Sequence, residues 1–333
     1  MPRTSTQERP RIFAGERTDG RAALYEATLR SLQSEPKRLP TIWLYDERGS
    51  RLYEEITRLP EYYLPRREGE ILLARAPEIA RLTQASTLAE LGAGSANNTR
   101  LLLDALDAGG TLELFTPLDV SGQTLQASAQ TIAAAYPRIA VQAIVGDFER
   151  DLGLLPRGGR RLIAFLGSTI GNLYPDQRAN LLAALAAELA PPDSLVFGID
   201  LVKDPARLQA AYSDPRGVTE AFVRNALTAV NRELEATFDQ QRFAFVARWD
   251  PEHEWMDIGF RAREAHTVSV GRLGLELAFE EDEPLRIEIS SKFRRERFGQ
   301  EAARAGLRVE SWWTDRACDF AVALVVGEPF AGG

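Results

Sequence analysis

Glu90, Gly92 and Gly94 stand in the run Leu88-Ala89-Glu90-Leu91-Gly92-Ala93-Gly94-Ser95, a spacing that makes a ligand-binding turn. The apolar residues from Thr87 to Leu91 read as a buried strand. Leu101, Leu102, Leu103, Ala105 and Leu106 then recur at helical spacing, after Ala96-Asn97-Asn98-Thr99-Arg100. Strand, glycine turn and helix in that order bring backbone close to a ligand, since glycine has no Cβ to obstruct the approach. A pyrophosphate seated on the helix N-terminus would require a third glycine, as in G-x-G-x-x-G, and the position three after Gly94 is Asn97. Glu90 favours instead a ligand that carries positive charge. Two glycines after a strand also make an ordinary tight turn, so the motif is weighed with its surroundings.

Three further strand ends carry polar residues of a matching kind. Pro117-Leu118-Asp119-Val120-Ser121 closes an apolar run with a carboxylate that can accept two ribose hydroxyls, although Asp119 also fits as the N-cap of the next helix. Gly146-Asp147-Phe148 offers an acceptor for an adenine amino group and a ring to pack on the base, or else a plain Gly-Asp turn. Leu166-Gly167-Ser168-Thr169-Ile170-Gly171-Asn172 is more polar and flexible than a simple connection needs. Together these ends describe a nucleoside site beside a cation-favouring turn. The pattern E-x-G-x-G resembles the first motif of class I methyltransferases that use S-adenosylmethionine (SAM), whose sulfonium and amino groups are cationic. SAM is the cofactor this reading implies.

The elements that must position these ends follow from periodicity. Strands are expected over Leu88–Leu91, Leu112–Val120, Ile139–Val145, Arg161–Gly167 and Asp193–Ile199, with helices over Asn98–Ala108, Ser121–Ala135 and Pro175–Leu189 between them. Such alternation gives an α/β fold with a parallel sheet covered on both faces. The class I resemblance implies a Rossmann-like sheet of seven strands, and the missing two are expected at Leu307–Trp313 and Phe320–Val326, after a helix over Arg295–Ala305. Residues 201–292 therefore interrupt the domain. They open with helices at Pro205–Ala211 and Val218–Leu234, and continue as an antiparallel meander of Phe243–Ala247, Ile258–Ala262, Thr267–Val270, Leu275–Phe279 and Leu285–Ser291. Ahead of the sheet come a loose arm over residues 1–20, a helix over Gly20–Gln33 and an aromatic segment, Pro40 to Pro65. Its last two prolines, Pro60 and Pro65, bracket Tyr62-Tyr63 in a rigid loop, and a helix over Glu68–Leu82 follows. The tyrosines serve either to staple this segment to the body or to line a pocket.

Composition removes other classes. The 333 residues carry 48 acidic against 40 basic side chains, a formal net charge of −8, which leaves no basic excess to neutralise nucleic-acid phosphates. One cysteine, Cys318, excludes an internal disulfide and is expected to lie buried in the last strand. His253 and His266 have no metal-ligand spacing with each other or with Cys318, so no metal is expected. Residues 1–11 show no apolar leader and no run reaches membrane-spanning length, so no membrane partner is expected and the chain is expected to act as a monomer in the cytoplasm.

Longer stretches carry a more specific resemblance, covering about Tyr45 to the last strand. They are Tyr45-Asp46-Glu47-Arg48-Gly49-Ser50, Leu59-Pro60-Glu61-Tyr62-Tyr63, Phe165 to Asn172, Asp200-Leu201-Val202-Lys203-Asp204, Lys292-Phe293-Arg294 and Trp312-Trp313-Thr314-Asp315. On these the chain resembles the histidine-specific SAM-dependent methyltransferases of ergothioneine biosynthesis, the L-histidine Nα-methyltransferases. The resemblance implies three successive methyl transfers to the α-amino nitrogen of L-histidine. It implies that Tyr62, Asn172 and Tyr212 hold the carboxylate and amino group, with Tyr45 near the reacting amine and Tyr45 and Asn172 the catalytic pair. It further implies that Glu288 and Ser290 recognise the imidazole, and that Glu90, Gly92, Gly94, Asn98, Asp119, Asp147, Phe148 and Gly167 make the cofactor site. Two positions depart from the family pattern: Ile258 stands where methionine is expected on the pocket wall, followed by Gly259 in place of an aromatic, and Asn98 stands where lysine is common.

The domains implied are an N-terminal arm with part of a substrate-binding domain (1–66), the first part of the methyltransferase domain (67–201), an inserted α+β substrate-binding domain (202–292), and the final helix and strands (293–333). The competing readings are the same chemistry on another, tryptophan-like amino acid, and a non-catalytic module that binds SAM or an amino acid. Glu288 disfavours the first, because a carboxylate facing an indole carbon edge is left unpaired. A nicotinamide dehydrogenase is disfavoured by Asn97 in place of the third glycine.

Overall fold

Three runs of the chain are buried from end to end, and they form the centre of the fold: β3 (Thr87–Leu91), β6 (Arg161–Phe165) and β7 (Ser194–Asp200). A strand apolar on both faces belongs inside a parallel sheet covered by helices on both sides. The computed structural model describes residues 10–14, 20–94 and 96–328. Around the centre lie β4 (Leu114–Asp119), β5 (Ala140–Val145), β13 (Leu307–Thr314), β14 (Phe320–Gly327) and a short edge strand, β1 (Arg11–Ala14). The order is β1-β5-β4-β3-β6-β7-β14-β13; pairing is parallel as far as β7, and β14 and β13 run antiparallel to their neighbours. From β3 the chain moves outward to β4 and β5, then returns across β3 to β6. The loops after β3 and β6 therefore part in opposite directions and leave a crevice at the carboxyl ends.

Alternation along each strand sorts the core into two layers. Leu88, Phe115, Leu162 and Val196 face the layer built with α3 (Leu64–Thr83), α4 (Thr99–Ala108) and α5 (Gly122–Ala135). Ala89, Ile163, Phe165 and Phe197 face the layer built with α6 (Pro175–Glu188) and α9 (Arg295–Arg304).

The insertion builds a second sheet. β8 (Phe243–Asp250), β9 (Trp255–Ala262) and β12 (Pro284–Ser291) pair antiparallel, and β2 (Lys37–Arg38) adds in parallel to β12, in the order β2-β12-β9-β8. The helices α7 (Pro205–Tyr212) and α8 (Val218–Leu234) pack against it, together with α1 (Gly20–Leu32) and α2 (Glu47–Ile56) from the N-terminal segment. Asp46 joins the two parts. It caps α2 through the Gly49 N–H at 2.8 Å, accepts from Asn225 of α8 at 2.7 Å, and pairs with Arg232 at 3.2 Å. Gly49 is required there, because a Cβ would lie 1.7 Å from the Leu44 carbonyl oxygen. The run Tyr45-Asp46-Glu47-Arg48-Gly49-Ser50 is thus a docking device that sets Tyr45 over α8.

Several expectations need correction. The large sheet has eight strands among the described residues rather than seven, because Arg11–Ala14 pairs with Gln142–Val145. Ile12 and Phe13 remain exposed there, so the strand rests on backbone pairing more than on burial. Residues 1–9 and 15–19 of the expected N-terminal arm lie outside the described residues. Helix α3 starts at Leu64 instead of Glu68, since Pro65 sits in its first turn, where the missing N–H would have no partner. The single meander is divided: β9 has both edges filled by β8 and β12, so β10 (His266–Val270) and β11 (Leu275–Phe279) form a separate hairpin. That hairpin is tied to the segment after α8 by Thr237 N–H to Ser269 O at 3.0 Å. Cys318 is exposed, in the turn that precedes β14, with its N–H on the Asp315 carbonyl.

Candidate active site

The turn after β3 has Gly92 at φ +68° and Gly94 at φ +47°, the left-handed conformation for which glycine carries no Cβ penalty. Asp119, at the end of β4, spans two loops: one oxygen accepts the Gly94 N–H at 2.9 Å and the other accepts the Ser121 N–H at 2.8 Å. Ser121 itself is the N-cap of α5, so Asp119 is not a helix cap. Each Asp119 oxygen keeps a lone pair for a ligand hydroxyl, and burial raises its carboxyl above the usual range. Asp147 accepts from the Glu149 N–H at 2.9 Å, and Phe148 packs edge-on against Phe165 with centroids 5.0 Å apart. A Cβ on Gly92 would stand 4.0 Å from the Phe148 ring, which places that ring beside the glycine turn. Glu90 accepts from the Thr99 hydroxyl, while its second oxygen is buried without a partner. Burial pushes it up to about 8.

Asn98 borders this cleft but commits its amide to protein groups, donating to Glu68 at 2.8 Å and to the Pro65 carbonyl at 3.0 Å. Glu68 is a residue that sequence reasoning missed. It is 2% exposed, accepts the Gly167 N–H at 2.7 Å, and is pushed up to about 7 by burial. One carboxylate thus ties the loop after β6 to the start of α4. Gly198 on β7 makes room for it, since a Cβ there would lie 1.9 Å from a Glu68 oxygen. Glu68 sits in a charged run and reads as solvated, yet it shares the helical stripe of Leu64, Ile71 and Leu72, and that position was the available signal.

A second pocket adjoins the cleft, and Tyr53, Tyr62, Leu64, Gly167 and Thr169 line both. Tyr45, Tyr62, Asn172, Tyr212, Ile258, Glu288 and Ser290 all line it, so the expected residues come together from separate parts of the chain. Tyr45 meets Tyr53 edge-on at 5.9 Å and Phe222 at 5.6 Å, and Tyr62 meets Tyr212 at 5.9 Å. Burial raises the Tyr45, Tyr62 and Tyr212 phenols well above their ordinary value and pushes Tyr53 to about 12, so all four are neutral hydroxyls. Asn172 donates its amide to Glu288 at 2.9 Å. A carboxylate can only accept, so the amide oxygen of Asn172 is left free for a donor. Glu288 is pushed up to about 7 by burial, against the opposing pull of Lys292.

Glu288 and Ser290 lie two apart on β12 and so share a face, with Ile258 opposite Glu288 across the ladder. A register shift between Arg286 and Glu288 makes Ile287 the extra residue of a β-bulge, which re-aims the strand at the pocket. Gly259 faces the other side of the sheet, where a Cβ would lie 2.3 Å from the Leu285 carbonyl oxygen. It governs strand spacing and takes no part in the pocket wall. Thr219 was not anticipated; it lines the pocket with a buried hydroxyl that has no partner.

Residues 24–326 match the family model described as histidine-specific methyltransferase, SAM-dependent. The chain belongs to this family. It is 50% identical over 305 residues to the histidine N-alpha-methyltransferase of Mycobacterium tuberculosis (strain CDC 1551 / Oshkosh), covering 92% of this chain and 95% of that one. It is 49% identical over 304 residues to the protein of the same name from Mycolicibacterium smegmatis, covering 91% and 95%. The Neurospora crassa ergothioneine biosynthesis protein 1 is 32% identical over 84% of this chain and 32% of its own length. The cleft after β3 combines two left-handed glycines, a strand-end carboxylate and a buried acid with a free oxygen. Among the described residues no group of three or more His, Cys, Asp or Glu could hold a metal ion, and no helix is long and apolar enough to cross a membrane.

Proposed function

We propose that the chain transfers three methyl groups in succession from SAM to the α-amino nitrogen of L-histidine, giving hercynine, as the first step of ergothioneine biosynthesis. The observation that carries this reading is the junction of the two clefts: Glu288 and Ser290 in one pocket with Asn172 and four tyrosines, opening onto the glycine turn through Gly167 and Tyr62. The histidine N-alpha-methyltransferase names of the relatives at 49–50% identity support it. SAM, when bound, supplies an electrophilic methyl group on a sulfonium. Gly92 and Gly94 would cradle its methionine end, Asp119 its ribose hydroxyls, and Asp147 and Phe148 its adenine; Glu68 and Glu90 would face its positive charge, the former holding Gly167 and Asn98 in place.

On the substrate side Glu288 accepts a ring N–H and Ser290 meets the other ring nitrogen, with Ile258 against the ring edge. Tyr62 and Tyr212 hold the carboxylate. Methyl transfer needs the nucleophile, methyl and sulfur in line, and such positioning lowers a barrier by about 7–11 kcal/mol. The free oxygen of Asn172 accepts an amine proton and so directs the nitrogen lone pair away from itself, with Tyr45 completing the cage. None of the four tyrosines can take the ammonium proton, because burial holds them protonated; water carries it away. The tyrosine faces tolerate the quaternary product, a contact of about 0.5–2 kcal/mol each. Alignment rather than a Lewis acid meets the need, so no metal is invoked. We assign the substrate pocket to 1–66 and 202–292 and the cofactor to 67–201 and 293–333. We take the working form to be a cytoplasmic monomer, since one chain supplies both clefts and a single cysteine forms no internal disulfide.

The test is mass spectrometry of purified protein with SAM and each of the twenty amino acids. Histidine alone gaining one, two and three methyls supports the reading. Another amino acid methylated in its place overturns the substrate, and cofactor binding without any product overturns the catalysis.

A further inference from the structure

Two of the stretches that mark the family resemblance, Asp200 to Asp204 and Lys292 to Arg294, have no part in the reading above. They meet directly behind the substrate pocket. Lys292 follows β12 and is fully buried. Its ammonium donates to the Tyr212 hydroxyl at 2.7 Å and to Ser290 Oγ at 2.8 Å, and lies 2.8 Å from Asp200 Oδ2. Asp200, at the end of β7, is equally buried; it accepts from the Tyr63 hydroxyl at 2.9 Å and from Lys203. Beyond Tyr63 and Lys203, Asp319 is held by Arg67 and Arg207. The groups that face Lys292 are therefore Asp200 from β7, Tyr212 from α7 and Ser290 and Glu288 from β12, with Lys203 and Tyr63 across Asp200.

The arrangement fixes the direction of the pocket's hydrogen bonds. An ammonium has three donors and no acceptor. One of the three meets Asp200, and the other two fill a lone pair on each pocket hydroxyl. Tyr212 and Ser290 stand 2.8 Å apart with Lys292 in place, so one proton is shared between them. With Tyr212 donating to Ser290, both lone pairs of Ser290 Oγ are filled, one by Lys292 and one by Tyr212, and the Ser290 proton turns to a ligand.

Resting on the proposed histidine substrate, we propose that Lys292 is a positioning residue that, together with Tyr212, commits Ser290 to donate into the pocket, so that histidine is selected with its imidazole neutral. Tyr212 gives its proton to Ser290. Ser290 gives its proton to the unprotonated ring nitrogen, and Glu288 accepts from the ring N–H. An imidazolium has two donors and no acceptor, so it meets the Ser290 proton head-on.

The test compares histidine with β-(1,2,4-triazol-3-yl)-L-alanine, whose ring has the same N–H and acceptor nitrogen but stays neutral across the range used. The ratio of their kcat/KM values cancels every titration the two share, including those of Glu288 and the α-amine. In the wild type the ratio is expected to fall about tenfold from pH 7.5 to 5.5, as a ring titrating near 6.5 loses its acceptor. In Lys292→Met the fall is expected to vanish, with S-adenosylhomocysteine affinity held within twofold as evidence of an intact fold. A wild-type ratio that does not change with pH overturns the assignment, and so does a fall that persists in Lys292→Met. Where that variant does not fold, a flat wild-type ratio still overturns the assignment. If histidine is not methylated at any pH while S-adenosylhomocysteine binds, the substrate reading itself has failed; if it is methylated at pH 7.5 with a flat ratio, only the role of Lys292 has.

Discussion

The cleft after β3 and the pocket under β12 meet at Gly167 and Tyr62, yet they are built in opposite ways. The cleft takes its groups from the ends of neighbouring parallel strands, and much of it is backbone: two left-handed glycines, the N–H groups that fix Asp119, and the Gly167 N–H on Glu68. Sheet order alone brings them together. The pocket is made of side chains from five separate segments, beginning with Tyr45 ahead of α2 and ending with Glu288 and Ser290 on β12. No local rule unites them; the insertion and the N-terminal segment must first dock through Asp46 and the β2–β12 pairing. A cofactor common to many enzymes can be held by topology, whereas choice among amino acids needs side chains placed one at a time.

If the two sites are separable, substitutions should divide cleanly between them. The largest effect is expected in the pocket. Asn172→Ala removes the free amide oxygen and the partner of Glu288, and steady-state kinetics should show kcat/KM for histidine falling about 10³-fold, while S-adenosylhomocysteine binds within twofold of wild type. Next comes the reverse case. Asp119→Ala releases the Gly94 and Ser121 N–H groups and should weaken SAM about 100-fold by calorimetry, a loss of about 2.7 kcal/mol, with the tyrosine pocket unchanged.

A smaller effect tests whether Glu68 belongs to the cofactor side. In Gly198→Ala the new methyl displaces the Glu68 carboxylate from the Gly167 N–H. SAM affinity should fall about tenfold, and thermal unfolding should shift down by a few degrees, as crowding of about 1–3 kcal/mol implies. The smallest effect is a pH dependence. Glu68 and Glu90 are raised to about 7 and about 8, so between about pH 4.5 and 8 the folded chain holds more protons than the unfolded chain. Their contribution to stability is complete below about pH 4.5 and is lost as pH rises through 7 to 8. The ligand-free protein should accordingly unfold at lower temperature at pH 8 than at pH 6. SAM, whose sulfonium compensates the ionised pair, should bind a few-fold tighter over the same rise, and S-adenosylhomocysteine, without that charge, should change less.

The contrast between the sites also explains what the sequence made legible. Strand-end residues such as Gly92, Asp119 and Asp147 follow from the βα alternation, because periodicity locates the ends of strands and topology does the rest. Asp119 illustrates the limit: cap and ligand acceptor look alike until Ser121 is seen to take the cap position. Glu288 and Ser290 read as exposed alternation on a strand, and only the family resemblance marks them, because their partners Asn172 and Tyr212 lie more than 70 positions away. Glu68 escaped because its neighbours Arg66, Arg67 and Glu70 make the stretch look solvated. The edge strand at Arg11–Ala14 and the exposed turn at Cys318 escaped for a related reason: short segments are decided by tertiary pairing, which local composition does not encode.

The most direct test of separability is isothermal calorimetry on the wild type and Glu288→Ala, titrating S-adenosylhomocysteine first and histidine into the complex second. The account predicts that S-adenosylhomocysteine binds both proteins within twofold, while histidine binds Glu288→Ala at least 100-fold more weakly, about 2.7 kcal/mol, because its ring N–H loses a buried carboxylate. Undiminished histidine binding, or equal loss of both ligands, would contradict it.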